Sequence, residues 1–160
     1  MNCVVDSCVF IETFKGKSAA KELLVCAIEH FRCFIVGVIF SEVFYKLMGL
    51  RAGISPMTLK KKKAIATVLR HEELVFCAEL LLSFEVLGEN LDVVSESYKL
   101  MCQYNLLPND ALILAACKRY GIKYLVSLDS DFEKPCEKEG IMLIDSAEKL
   151  MEVLDGRDSD

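Results

Sequence analysis

The sequence predicts one α/β domain, a three-layer α/β/α stack around a central parallel sheet of about five strands. Three observations predict it. Short apolar segments alternate with longer amphipathic ones along the chain, which is the pattern of repeated strand–helix units. The short segments are apolar on both faces, as central parallel strands are. The 160 residues are 53% hydrophobic, enough for one core, and no linker or internal repeat divides them. Residues 1–150 are expected to form the domain and 151–160 an acidic tail.

Asn2 to Asp6 is a short apolar run ending in a carboxylate and reads as a buried strand. Ser7 can cap a short helix to Phe14, stopped by Gly16. From Ser18 to Phe31, Ala20, Leu23, Leu24, Ala27, Ile28 and Phe31 recur at helical spacing, with Lys21, Glu22 and Glu29 opposite. Cys33 to Val38 reads as the second strand, and Phe40 to Leu50 as a helix capped by Ser41. Pro56 opens a helix through the lysine run to His71. Glu72 to Ser83 reads as helix, followed by a strand near Phe84 to Leu87. Leu91 to Tyr104 is helical, and Pro108-Asn109 starts another helix that stops at Gly121. Lys123 to Leu128 and Ile141 to Ile144 are strands, and Ser146 to Leu154 is the last helix.

Composition excludes several classes. The longest apolar run, Cys33 to Phe40, has eight residues, whereas a spanning helix needs roughly 20. Met1 to Asp6 lacks a basic segment and reaches a carboxylate at once, so no export signal is expected and a cytoplasmic setting is. The eight cysteines include no Cys-x-x-Cys pair and sit mostly in apolar runs, which predicts buried, reduced thiols rather than zinc or disulfides. The net charge of −5 conceals an uneven distribution. Residues 129 to 160 carry 11 acids and 4 bases, and residues 1 to 128 carry 13 acids and 15 bases. Residues 43 to 71 hold no acid and seven bases, among them Arg51, Lys60, Lys61, Lys62, Lys63 and Arg70. Such a segment is either a solvated helix face or a guide for a nucleic-acid backbone.

The chemistry lies in the acids. Asp6 ends the first strand, Glu42 opens the helix after the second, Asp110 opens the helix before the fourth, and Asp129 and Asp131 follow that strand. Each alone has an ordinary structural role as a cap, a helix-dipole partner or a turn residue. Together they converge on the carboxyl edge of the sheet, where parallel α/β proteins bind ligands. Like charges gathered there repel unless a cation joins them, and Mg²⁺ accepts such oxygens while leaving room for phosphate. His30 and His71 lie at helix ends, and no glycine-rich phosphate loop is present. A receiver-type or phosphatase site needs a paired acid at the first strand, which Asp6-Ser7-Cys8 does not supply.

The runs Val-Val-Asp-Ser at the start, Ser-Glu-Val-Phe at Glu42, Pro-Asn-Asp-Ala-Leu-Ile-Leu-Ala-Ala at Asp110 and Val-Ser-Leu-Asp-Ser-Asp-Phe at Asp129 resemble those of PIN-domain ribonucleases of the VapC toxin type. The resemblance covers roughly residues 1 to 145. It implies strand order 3-2-1-4-5 and Mg²⁺- or Mn²⁺-dependent cleavage of RNA to 5′-phosphate and 3′-hydroxyl ends. It makes Asp6, Glu42, Asp110 and Asp129 the catalytic acids, and Asp6, Asp110, Asp129 and the auxiliary Asp131 the metal ligands. Ser7 and Ser127 become polar neighbours of that site. Cys8 stands where the family often carries Ser or Thr, which removes a hydroxyl. The stretch from Glu42 to Asp110 is longer than in many compact toxins of the family. RNA, a small antitoxin protein and a second copy of the chain are the implied partners. The apolar surplus of Phe40, Val43, Phe44, Leu47 and Met48 also suggests a homodimer. The alternative is a catalytically inactive module of the same fold that binds RNA or protein.

Overall fold

The computed structural model of the protein describes residues 1–156. Five strands form one parallel sheet: β1 (Asn2–Val5), β2 (Arg32–Val36), β3 (Glu85–Leu87), β4 (Tyr124–Val126) and β5 (Met142–Ile144). Their order is β3-β2-β1-β4-β5, so the order reverses at β1. All four pairings are parallel, with Cys3 opposite Cys33 and Val4 opposite Leu125. Expected order and observed order agree.

The helices between β1 and β2 are α1 (Ser7–Phe14) and α2 (Ser18–His30). Between β2 and β3 lie α3 (Gly37–Ala52), α4 (Pro56–Lys61), α5 (Ile65–Leu69) and α6 (Glu72–Leu82). Then α7 (Leu91–Tyr104) and α8 (Pro108–Arg119) return across the sheet to β4. A 3₁₀ turn (Ser130–Phe132) and α9 (Glu133–Glu139) lead to β5, and α10 (Ala147–Asp155) closes against α2. The right-handed crossover rule, applied to this strand order, assigns α1 to α6 to one face and α7 to α9 to the other. The core joins both faces to the sheet through Phe10, Ile39, Ile113, Leu114, Leu125 and Phe132, all fully buried. Phe10 meets Phe84 edge-on at 5.5 Å, a favoured aromatic geometry.

Four boundaries depart from the sequence expectation. First, β2 ends at Val36 and α3 begins at Gly37, not near Ser41. The cap comes from far along the chain: Glu89 Oε1 accepts the Val38 N–H at 2.9 Å. A Cβ on Gly37 would lie 2.9 Å from that oxygen, so glycine permits the close approach. The first turn of α3 is apolar because it is wedged over the sheet, with Ile39 fully buried, and this hides the switch from strand to helix. Glu42 therefore lies in the second helical turn rather than the first.

Second, the long lysine helix is broken. α4 stops at Lys61, Lys63 takes a left-handed φ of 54°, and α5 restarts at Ile65. Four adjacent like charges disfavour helix continuation, whereas cations at the C-terminal end of α4 oppose its dipole favourably. Third, α9 is a helix that the sequence pattern does not reveal. Its buried residues are only Pro135 and Cys136, set between charged residues, and proline is tolerated in a first turn. Fourth, α10 runs through Asp155, so residues 151–155 are helix rather than tail. Residues 157–160 lie outside the described residues.

The apolar surplus of α3 is largely used within the chain. Val43 and Leu47 are buried, and Phe44 and Met48 pack on the core. α1 and α4 to α6 all touch α3. No helix among the described residues is long and apolar enough to cross a membrane.

Phe132 is the fully buried plug of the turn that follows Asp129. Phe132→Ala is expected to cost about 3–5 kcal/mol, measured by urea unfolding.

Candidate active site

The site grows from the end of β1. Asp6 directly follows the strand, and its N–H continues the ladder to Val126 O at 2.9 Å. Its side chain is only 4% exposed. Such a carboxylate is costly unless its oxygens are satisfied. Oδ1 accepts from Ser7 N at 2.6 Å and stands 3.2 Å from Ser7 Oγ. Oδ2 accepts from Ser127 Oγ at 2.7 Å and from the Cys8 thiol at 3.0 Å. Burial pushes the Asp6 carboxyl above its ordinary range, while the bonds from Cys8, Ser127 and Ser7 pull it back.

These donors lock two chain segments together. Ser127 immediately follows β4, and its Oγ accepts the Asp129 N–H at 3.1 Å. The Cys8 sulfur accepts the Leu128 N–H at 3.2 Å. Burial, with the adjacent Asp6 charge, pushes the Cys8 thiol far up, so it stays protonated and donates. The thiol thus occupies the donor role of the hydroxyl that the resemblance expects at this position. Sequence pattern does not reveal that role, because Cys8 in Cys-Val-Phe-Ile looks like core.

Ser7 also reaches the next acid, with Oγ 3.1 Å from Glu42 Oε2. Asn109 Nδ2 approaches the same oxygen at 3.4 Å. Asn109 is not distinguished by the sequence, where it reads only as the start of α8. Asp110, one residue on, is half-buried in the first turn of α8. Asp129 Oδ1 accepts the N–H of Asp131, itself exposed, at 2.9 Å, which closes the 3₁₀ turn.

Asp110 records the collective field. Its pKa is raised to about 6, first by burial, then by the charges of Asp6, Asp129, Glu42 and Asp131. The charges acting most strongly on it are all acidic. The donors are all carboxylate oxygens, the kind that Mg²⁺ and Mn²⁺ prefer. Among the described residues no group of three or more Asp, Glu, His or Cys side chains is arranged to hold a metal ion. The site is an acidic edge, without an ion-pair partner among the described residues, whose charge and donor type are those that a hard divalent cation takes.

The basic segment is not part of this cluster. Arg51 lies in the last turn of α3, nine residues beyond Glu42, roughly 14 Å along the helix axis. Its guanidinium contacts the His71 ring. Lys60, Lys61, Lys62, Lys63 and Arg70 are exposed around α4 and α5.

The chain is an open parallel α/β protein with acids gathered at its switch point, and comparison identifies the family. The PIN-domain family model matches residues 3–138, and the chain belongs to that family. It is 33% identical over 140 residues to ribonuclease VapC6 of Methanocaldococcus jannaschii, covering 83% of this chain and 92% of the relative. Ribonuclease VapC2 of the same organism is 33% identical over 130 residues, covering 81% and 85%. The fold is also similar to PAE2754 from Pyrobaculum aerophilum, with TM-score 0.60 and 16% identity over 98% of this chain and 96% of that one. A toxin–antitoxin complex from Klebsiella pneumoniae contains a similar chain, with TM-score 0.56 and 21% identity over 81% and 89%.

The raised pKa of Asp110 sets a sign for stability. Between the ordinary value of 3.8 and about 6 the folded state binds more protons than the unfolded state, so this group makes stability fall as pH rises through that window. In EDTA at pH 8, Asp110→Asn is expected to stabilise the protein by on the order of 1 kcal/mol, after allowance for solvent screening. The gain should vanish towards pH 4 in paired urea titrations of wild type and variant.

Proposed function

We propose that the protein is a divalent-metal-dependent endoribonuclease that hydrolyses RNA phosphodiester bonds, acting as the toxin of a toxin–antitoxin pair. The observation that carries the reading is the acidic edge formed by Asp6, Glu42, Asp110 and Asp129. Family membership and relatives named ribonucleases support it. A complete acid set weighs against the inactive binding module.

In this mechanism Asp6, Asp110 and Asp129 supply the oxygens that would hold Mg²⁺ or Mn²⁺, and Asp131 adds negative charge at the rim. A bound ion of this kind supplies an activated water and charge stabilisation at the scissile phosphate. Asp6 is the fixed member, since its carboxylate is held from both β1 and β4 by Ser7, Cys8 and Ser127. Glu42, approached by Ser7 and Asn109, would orient or deprotonate a water. The VapC resemblance supports a small antitoxin protein as partner and a homodimer. Phe40, Tyr45, Leu50 and Met57, each more than a third exposed on α3 and α4, offer apolar surface for the latter.

RNA cleavage with Mg²⁺ or Mn²⁺ should be abolished by EDTA and restored by added metal. Asp6→Asn and Asp129→Asn should each slow it by about 100-fold or more. Cleavage undiminished in both variants would refute the assignment.

A further inference from the structure

A second polar feature adjoins the acidic edge. A groove of about 590 Å³ is lined by Gln103, Tyr104, Asn105, Ser130, Asp131, Lys134, Pro135 and Lys138. Both of its walls lead directly to the site. One wall, Ser130 and Asp131, follows Asp129 in the 3₁₀ turn. The other, the C-terminal end of α7 and its left-handed cap Asn105, runs through Leu106, Leu107 and Pro108 to Asn109 and Asp110. The groove thus shares with the acidic edge Asp131, whose charge also acts on Asp110.

Its lining carries both signs of charge. Asp131 marks the near end, while Lys134 and Lys138 stand on α9. They are four residues apart, so they share a helix face, with Cβ atoms about 6 Å apart. That is on the order of one phosphate step of a single strand. Both are exposed, and neither has an ion-pair partner among the described residues. The neighbouring Lys118, by contrast, is consumed by Glu96 at 2.5 Å and Glu139 at 2.7 Å. Glu139 also accepts from the Tyr104 hydroxyl at 2.7 Å, which anchors α9 to the α7 wall. Gln103, Asn105 and Ser130 add side chains able to bond ribose and base edges.

We propose that this groove seats single-stranded RNA beside the scissile phosphate, with Lys134 and Lys138 each meeting one backbone phosphate. The inference rests on the endoribonuclease reading and deepens it by naming where the substrate strand lies. It assigns backbone contact near the chemistry to α9 rather than to the lysine run of α4.

The test measures binding apart from cleavage. A fluorescent single-stranded oligoribonucleotide is titrated with Asp129→Asn protein in EDTA, by anisotropy, at several salt concentrations. Adding K134A and K138A should weaken binding by about tenfold and flatten the slope of log K against log salt by about 1.4, or about 0.7 for each phosphate left without its lysine. K134R with K138R should restore both. Unchanged affinity and slope in the alanine pair would overturn the proposal. So would a loss of that size confined to a variant with Lys60 to Lys63 replaced by Ala. Wild-type protein that cleaves RNA while the groove lysines prove irrelevant leaves the ribonuclease reading intact. Failure of wild type to bind or cleave RNA defeats both.

Discussion

The structure depends on a buried carboxylate at the point where strand order reverses. Asp6 is almost out of water, and a carboxylate so placed costs several kcal/mol unless its oxygens are bonded. Its donors come from two places far apart in sequence: Ser7 and Cys8 at the start of α1, and Ser127 after β4. They meet only if β1 and β4 are neighbours in register, with Val5 opposite Val126. The same bonds that make Asp6 tolerable therefore tie the centre of the sheet to the site. Ser127 then passes the constraint on by accepting the Asp129 N–H.

A second acidic cluster in the same molecule shows what is unusual here. Glu96 is held below its ordinary range chiefly by its bond from Lys118. Glu139 is pushed up by burial, yet bonds from Lys118 and Tyr104 bring it lower than normal. The chain thus neutralises acids between α7 and α9 with its own lysine. Among the described residues no lysine or arginine forms an ion pair with the acids of the sheet edge, and Asp110 is driven the other way. Repulsion of this kind opposes folding, and a metal-binding role gives a physical reason for keeping it.

Sequence pattern reveals the sheet because its strands are short, apolar and separated by amphipathic helices. It also reveals Asp6, Asp110 and Asp129, because each sits at a strand end or helix start that the pattern marks. It fails where the decisive partner is distant. The start of α3 is set by Glu89, 51 residues from the Val38 N–H it caps, and nothing near Gly37 signals that bond. It fails also where burial erases periodicity, as in the first turn of α3, or where charge masks a helix, as in α9. Cys8 is hidden for a related reason: an apolar neighbourhood does not show whether a thiol meets a carboxylate.

Charge is the least legible property, because electrostatic effect follows distance in space rather than density in sequence. The lysine run is conspicuous along the chain and lies exposed around α4 and α5. Lys134 and Lys138 sit in the segment from 129 to 160, where acids outnumber bases 11 to 4. They nevertheless line the groove that leaves the site. Exposed charges further apart than about 8–10 Å are largely screened at physiological salt. An RNA phosphate would therefore respond to the charges within that distance of it rather than to the balance of the whole segment. The negative balance of that segment does not by itself argue against an RNA partner.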